Sequence, residues 1–333
     1  MKPTKIAVIG SNSFSGSHFV NHCLKQGLQV LGISRGAAPQ DCFLPYRWEG
    51  GNASGFLFLQ CDLNREMPRL LGHLRDFQPD YVVNFAAQGM VAPSWENPVD
   101  WYQTNTLSMV ALHQGLREFQ GLKAFVQAST PEVYGTTSGW VTEDQPFCPT
   151  TPYAISKAAC DMNLLAFART LGFPAVLTRA ANVCGPGQQL YRILPRTIWA
   201  AHTGEKLTLE GGGLSERAFI HIEDVCAATL EAARQGQPGE IYHLSTSQTL
   251  TIRELVEMVC QKLGKPFHEV VDLGPARLGQ DMAYRLDSAK ARRTLNWEPA
   301  ISLEQTISET IEWVEKFSAQ LKSEPTRYLH RAS

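Results

Sequence analysis

A tyrosine and a lysine four residues apart, Tyr153 and Lys157, are the sharpest chemical signal in this 333-residue chain. Four residues is about one helical turn, so both side chains share a face. An ammonium beside a phenol favours the phenolate, which makes Tyr153 a candidate general base near neutral pH. Such a pair recurs by chance, but Thr130 stands 23 residues upstream, at the end of an expected strand. Within Ser129-Thr-Pro-Glu-Val-Tyr-Gly135, Glu132 would sit beside the same pocket. A carboxylate in that company is a candidate proton acceptor; the plain alternative is a solvated loop glutamate.

A second constellation would hold a dinucleotide. Gly10-Ser-Asn-Ser-Phe-Ser-Gly16 joins the first strand to the first helix. Such a turn needs glycine for the bend and for close helix–strand packing, and it presents the helix N-terminus to a pyrophosphate. Ser13 replaces the usual middle glycine; its Cβ narrows the approach, while its hydroxyl could donate to a phosphate. Phe14 and Ser15 complete the turn, and an ordinary strand–helix turn is the alternative. The second strand ends in Ser34-Arg35, with no acid before Asp41. An acid there would take a ribose 2′-hydroxyl, whereas an arginine suits a 2′-phosphate. The expected cofactor is therefore NADP or NAD, tightly bound, with NADP slightly favoured; a solvated Arg35 is the alternative. Asp62 and Leu63 are expected near the adenine, unless Asp62 only caps a helix.

These residues need elements to position them. Apolar runs at Lys5–Gly10, Gln29–Arg35, Gly55–Asp62, Tyr81–Ala87, Lys123–Thr130 and Ala175–Asn182 read as strands. Helical spacing fills Phe14–Gln26, Arg65–Phe77, Pro98–Glu118 and Pro152–Leu171, the last with proline in its first turn. Strand–helix alternation calls for a parallel sheet covered on both faces. After about residue 183 the rhythm changes. Arg192–His202, Asp224–Gln235 and Thr251–Leu263 read as helices, the last two capped by Asp or Thr. Lys206–Glu210, Phe219–Ile222, Glu240–Thr246 and Glu269–Asp272 read as short strands. The expected division is 1–182 for the dinucleotide and 183–330 mainly for substrate, with segments around 217–246 returning to the first unit. The polar tail from about Ala319 is expected to fray.

Composition narrows the classes. The chain is 44% hydrophobic and 19% charged, with net charge −2. That argues against disorder and against a nucleic-acid or anionic-membrane partner. No apolar stretch approaches the roughly 20 residues of a membrane span. The first residues show no signal-peptide pattern. The eight cysteines are never closer than twelve residues, so no metal-ligand spacing exists and a reduced, cytoplasmic location is expected.

Further segments carry a family resemblance: Asn84-Phe-Ala-Ala-Gln88, Thr104-Asn105, the Thr130/Tyr153/Lys157 set, Asn182-Val-Cys-Gly-Pro186, Arg217-Ala-Phe-Ile-His-Ile-Glu-Asp224 and Arg277-Leu-Gly-Gln-Asp281. Running from Gly10 to about Trp297, they resemble the extended short-chain dehydrogenases/reductases acting on nucleotide sugars, and most closely the NDP-hexose 4,6-dehydratases for dTDP-glucose and GDP-mannose. The resemblance implies an α/β fold: a Rossmann-type doubly wound parallel sheet with a smaller α/β substrate-binding lobe. It implies a hydro-lyase converting an NDP-hexose to an NDP-4-keto-6-deoxyhexose by transient oxidation at C4. Tyr153 would take the O4 proton, Lys157 would hold the nicotinamide ribose, Thr130 would bind the sugar hydroxyl, and Glu132 would remove the C5 proton. Ala86, Ala87, Gln88 and Asn105 would line the cofactor. Ser94, Asn182, Arg192, Arg217, Arg277 and Asp281 would bind the nucleotide-diphosphate sugar. A homodimer paired through Pro98–Glu118 and Pro152–Leu171 is also implied, as is base recognition around Gln188–Arg192.

One position departs from the pattern. Many dTDP-glucose dehydratases carry an aspartic acid where Pro131 stands, to protonate the departing C6 hydroxyl. Proline has no proton to give, so Glu132, another group or a water must supply it. An NDP-sugar 4-epimerase remains the alternative, since it needs Tyr153 and Lys157 but not Glu132. A decarboxylase or 5,6-dehydratase would use the same scaffold. A non-catalytic NAD(P)-sensing protein would have no use for the Tyr–Lys pair.

Overall fold

The computed structural model describes residues 3–48, 53–275 and 283–332. Seven strands form one all-parallel sheet, ordered Ile241–Leu244, Ala175–Ala180, Ala124–Ala128, Tyr81–Asn84, Lys5–Ile9, Gln29–Ser34 and Phe56–Gln60. The chain builds outward from Lys5–Ile9 on one side, then returns to build outward from Tyr81–Asn84 on the other. The strand order therefore reverses between these two neighbours, and ligands of such sheets bind in the crevice at that point. The α/β, doubly wound expectation holds. Both faces are covered by buried apolar clusters, one around Phe19, Val225 and Leu230, the other around Leu70, Leu112 and Leu164.

Later strands build smaller sheets. Glu216–His221 pairs in parallel with Asn182–Cys184 and antiparallel with Thr249–Thr251. Leu207–Glu210 pairs with Val271–Gly274. These pack on helices Ile193–Thr203, Ile252–Lys262 and Leu303–Lys316 through a separate apolar set that includes Leu194, Leu255 and Trp313.

Several expected elements are corrected. Pro98–Glu118 is not one helix: Pro98–Tyr102 and Ser108–Leu116 are α-helical, and Gln103–Leu107 between them is a π turn. The strand expected over Ala175–Asn182 ends at Ala180, and Asn182 opens a strand of the smaller sheet. Asp224 does not cap its helix. His221 does, its Nδ1 accepting from the Glu223 N–H, which frees the Asp224 carboxylate to accept the N–H groups of Ala300 and Ile301. Thr251 caps as expected, within a full capping box. Glu269 belongs to a short helical turn, and the following strand is Val271–Gly274.

The tail is the largest departure. Rather than fraying, it runs back to helix Pro98–Tyr102: His330 Nε2 meets Asp100 Oδ2 at 2.6 Å and its ring stacks on the fully buried Trp101. Polarity alone could not reveal this, because the anchors are local and the partners lie some 230 residues away.

Candidate active site

Helix Pro152–Leu171 forms where it was expected, bound for bound. Thr151 caps it by accepting from the Ala154 N–H at 3.1 Å, Pro152 occupies the first turn, and Gly172 ends it at φ +66°. Tyr153, Lys157 and Asp161 recur every fourth residue and face the end of strand Ala124–Ala128. Tyr153 is hydrogen-bonded to the Thr130 hydroxyl. Lys157 Nζ donates to the Ala128 carbonyl at 2.8 Å. Ser129 Oγ donates to Asp161 Oδ2 at 2.6 Å.

Thr130 is the N-cap of a short 3-10 turn, Pro131–Tyr134, and its Oγ1 accepts from the Glu132 N–H at 3.3 Å. That leaves the hydroxyl hydrogen to be donated to the Tyr153 oxygen. Burial raises the Tyr153 pKa, the Glu132 carboxylate raises it further, and the Thr130 hydrogen bond and the Arg192 guanidinium lower it. Thr130, Glu132, Tyr153 and Arg192 thus converge. Lys157, whose buried ammonium is disfavoured by desolvation, donates to the Ala128 carbonyl, and the charges that act most on Tyr153 are those of Glu132 and Arg192.

The dinucleotide turn fits its expected occupant. Gly10 has φ +83°, and a Cβ there would lie 2.5 Å from the Ala86 nitrogen. One at Gly16 would lie 2.1 Å from the Gly10 carbonyl oxygen. Both glycines are required for helix, turn and strand to close up at the point where the sheet order reverses. Ser13 Oγ is used differently from expectation. It donates to the Gly10 carbonyl at 2.7 Å and accepts from the Gly16 N–H at 3.1 Å, so it caps helix Phe14–Lys25 instead of offering its proton to a phosphate. The helix N-terminus, with Phe14 and Ser15, still faces the crevice side of the turn. Ser34 Oγ accepts from the Asn12 N–H at 2.9 Å. Asp62 is not a helix cap: its Oδ1 accepts from the Asn64 N–H, and the next helix starts at Met67. Leu63 is buried in the apolar layer.

After strand Tyr81–Asn84, Phe85–Gln88 leads away past the turn. The Ala86 N–H donates to Asn84 Oδ1 at 3.1 Å. Asn105, on the π turn, is only 1% exposed; it bonds both backbone groups of Gln88 and the Ser156 hydroxyl. It therefore braces the Phe85–Gln88 segment against helix Pro152–Leu171. Ser94 is fully buried, donating to the Val91 carbonyl and accepting from the Tyr153 N–H. Trp101 is core, while Trp95 is 46% exposed.

On the smaller lobe, Asn182 Oδ1 accepts from the Tyr284 hydroxyl at 2.7 Å, and the Arg217 guanidinium lies 4.5 Å from the Tyr284 ring centroid. Asn182 and Arg217 therefore come together as expected, through a tyrosine the sequence did not single out. Arg277 and Asp281 lie outside the described residues. The tail also enters the site. Arg35 donates to the carbonyls of Ala332 (2.8 Å) and Arg331 (3.5 Å). Gln88 donates to the Arg331 carbonyl and accepts from the Tyr328 hydroxyl, and Tyr328 packs edge-on to Tyr191.

This geometry agrees with the sequence profile of the family described as GDP-mannose 4,6 dehydratase, which matches residues 8–310. The chain belongs to that family. Among similar members is the dTDP-glucose 4,6-dehydratase of Streptomyces antibioticus, 33% identical over 318 residues that cover 92% of this chain and 91% of the relative. That of Xanthomonas campestris is 31% identical over 324 residues, covering 92% of each. The crystal structure of DesIV, a dTDP-glucose 4,6-dehydratase from Streptomyces venezuelae solved with NAD, superposes with TM-score 0.87 at 29% identity, covering 95% of this chain and 98% of that one. Among the described residues no helix is long and apolar enough to cross a membrane.

Proposed function

We propose that Thr130, Glu132, Tyr153 and Lys157 carry out the 4,6-dehydration of a nucleotide-diphosphate hexose. The chain is a nucleotide-sugar 4,6-dehydratase, a hydro-lyase, and the convergence of Thr130 and Glu132 on the Tyr153 phenol is the observation that carries this assignment of roles. Tyr153 takes the O4 proton, and the Thr130 hydrogen bond with the Arg192 charge favours the phenolate that must do so. A nicotinamide dinucleotide held at the Gly10–Gly16 turn would supply the hydride acceptor for C4 and the hydride donor for C6. The resulting ketone acidifies the C5–H, and Glu132 takes that proton. Pro131 is buried and has none to offer, so Glu132 returns its proton to the departing C6 hydroxyl and water leaves. Hydride addition at C6 leaves an enolate that takes a solvent proton at C5, while Tyr153 gives up the O4 proton to solvent, so the sequence balances as the loss of one water.

The finer points belong to the same reading. Arg35, with no acid beside it at the strand end, supports NADP over NAD. Asn182, Arg192 and Arg217 hold the diphosphate of the substrate, and residues beyond 183 form most of its lobe, with Ile241–Leu244 returning to the main sheet. Exposed Val99, Leu107, Ile155 and Met162 on the helices expected to pair support a homodimer. Eight unpaired cysteines, seven of them buried, support a reducing cytoplasmic location. The test is turnover of a panel of NDP-hexoses in heavy water. Loss of one water with deuterium at C5 is expected; a product of unchanged mass inverted at C4 would establish the 4-epimerase instead.

A further inference from the structure

The turn that carries Thr130 and Glu132 is fastened at both ends to a single buried ion pair that no substrate can reach. Asp161 and Arg179 are both 0% exposed, and their Oδ2 and Nη2 lie 2.9 Å apart. At one end of the turn, Ser129 donates its hydroxyl to that same Oδ2, while its N–H donates to the Thr178 carbonyl at 2.8 Å. At the other end, Arg179 Nη1 donates to the Tyr134 hydroxyl. Between the two anchored residues lie only Thr130, Pro131, Glu132 and Val133.

The second anchor is itself fixed. Burial and the Arg179 charge hold His243 neutral, its pKa near about 3, so one ring nitrogen carries the proton. Nδ1 faces the Asp287 carbonyl at 3.2 Å and must donate there. Nε2 then accepts from the Tyr134 hydroxyl at 2.7 Å, and the Tyr134 oxygen accepts from Arg179. The Arg179 guanidinium also lies 4.6 Å and 4.8 Å from the Tyr134 and Phe147 ring centroids, which removes its remaining freedom.

We propose that Arg179 and Asp161 are positioning residues that set the distance between the Glu132 turn and the Tyr153–Lys157 face of the catalytic helix. Asp161 lies on that helix, one turn beyond Lys157, and Arg179 lies on the adjoining strand, so the pair ties helix, strand and turn at one point. A buried ion pair contributes little net stability, because desolvation offsets its attraction. Its value here is geometric. The proposal rests on the assignment of Glu132 as the C5 base.

The clamp is tested where its arms end, with Tyr134→Phe and Ser129→Ala in the full-length, cofactor-bound enzyme. Each deletes one oxygen and adds no bulk to the core. A misplacement of about 1 Å costs on the order of 100-fold in rate, so kcat is expected to fall roughly 10- to 100-fold, with KM within about 3-fold. Because the turn carries the base for the second step, C4 oxidation outruns C5 deprotonation, and reduced nicotinamide accumulates during turnover. Arg179→Met combined with Asp161→Leu removes the pair without stranding a charge. It is expected to keep the thermal midpoint near wild type while losing the same turnover. Wild-type kcat with no build-up of reduced nicotinamide in both single variants overturns the clamp. Glu132→Gln is measured alongside: if it remains fully active, the assignment of the base has failed, and if it is inactive while Tyr134→Phe and Ser129→Ala are normal, only the clamp has failed.

Discussion

The Tyr153 phenol, already penalised by burial, is pushed further toward its protonated form by the Glu132 carboxylate. Base and base therefore oppose each other across one pocket: the charge that Glu132 needs for the C5 step makes the C4 step harder. Glu132→Gln should lower the Tyr153 pKa, shifting the alkaline rise of C4 oxidation to lower pH, while complete dehydration falls about 10²–10⁴-fold. Rapid-mixing absorbance of reduced nicotinamide as a function of pH, set beside product formation, measures both effects. Undiminished dehydration in this variant would remove Glu132 from the mechanism.

Arg35 is expected to discriminate between the two dinucleotides. Arg35→Ala should weaken NADP binding about tenfold or more, by the loss of one charge-assisted contact, and leave NAD nearly unchanged. Titration of cofactor-stripped protein with each dinucleotide decides it, and equal losses for both would place the 2′-phosphate elsewhere.

Residues 328–332 occupy the donors of Arg35 and both ends of the Gln88 amide. Those side chains must let go of the tail before they can turn to a nucleotide. At about 0.5–1.5 kcal/mol per exchanged hydrogen bond, a chain truncated after Lys322 should bind dinucleotide about tenfold more tightly, by calorimetry. Weaker binding would mean that the segment folds over a seated dinucleotide instead.

His113 is buried beneath Phe125 and Phe173, and burial lowers its pKa to about 3. A depressed folded pKa means that its contribution to stability is complete above about 6.5 and is lost as pH falls toward 3. Between pH 6.5 and 5 the loss is about 2 kcal/mol. Urea unfolding at pH 7 and pH 5 should show His113→Gln to be less acid-sensitive than wild type by roughly that amount, and identical pH dependence would contradict it.

Met162 is 58% exposed and Leu107 is 60% exposed. Met162→Asp with Leu107→Asp should leave each chain folded yet halve the mass measured by light scattering at micromolar concentration. An unchanged mass would remove these helices from any subunit contact.

The parts of the molecule written in local pattern were legible beforehand. The cap, proline and terminal glycine of Pro152–Leu171 sit next to one another in the chain, and the period of four placed Tyr153 and Lys157 on one face. What could not be read was direction and distant company. Nothing near Lys157 says that its ammonium prefers the Ala128 carbonyl, or that Ser13 spends its proton inside its own turn. Asp161 was within reach of the same period-of-four argument, since it continues the Tyr153–Lys157 face. Arg179 and His243 were not, because their partners are brought together only by the order of strands in the sheet. Tyr284 came without a pattern of its own.

The wide turn at Gln103–Leu107 holds one residue more than an α-helix of the same rise would. Deleting one residue there, for instance Thr106, would leave the helix beyond it in register, whereas winding all five residues into α-helix would swing everything beyond them by about 100° around the axis. Met109 and Leu112, now sealed inside, would come round toward water. The same rewinding would draw Asn105 away from Gln88. A sequence without the surplus residue would keep the same buried face, with a gap of one at this stretch.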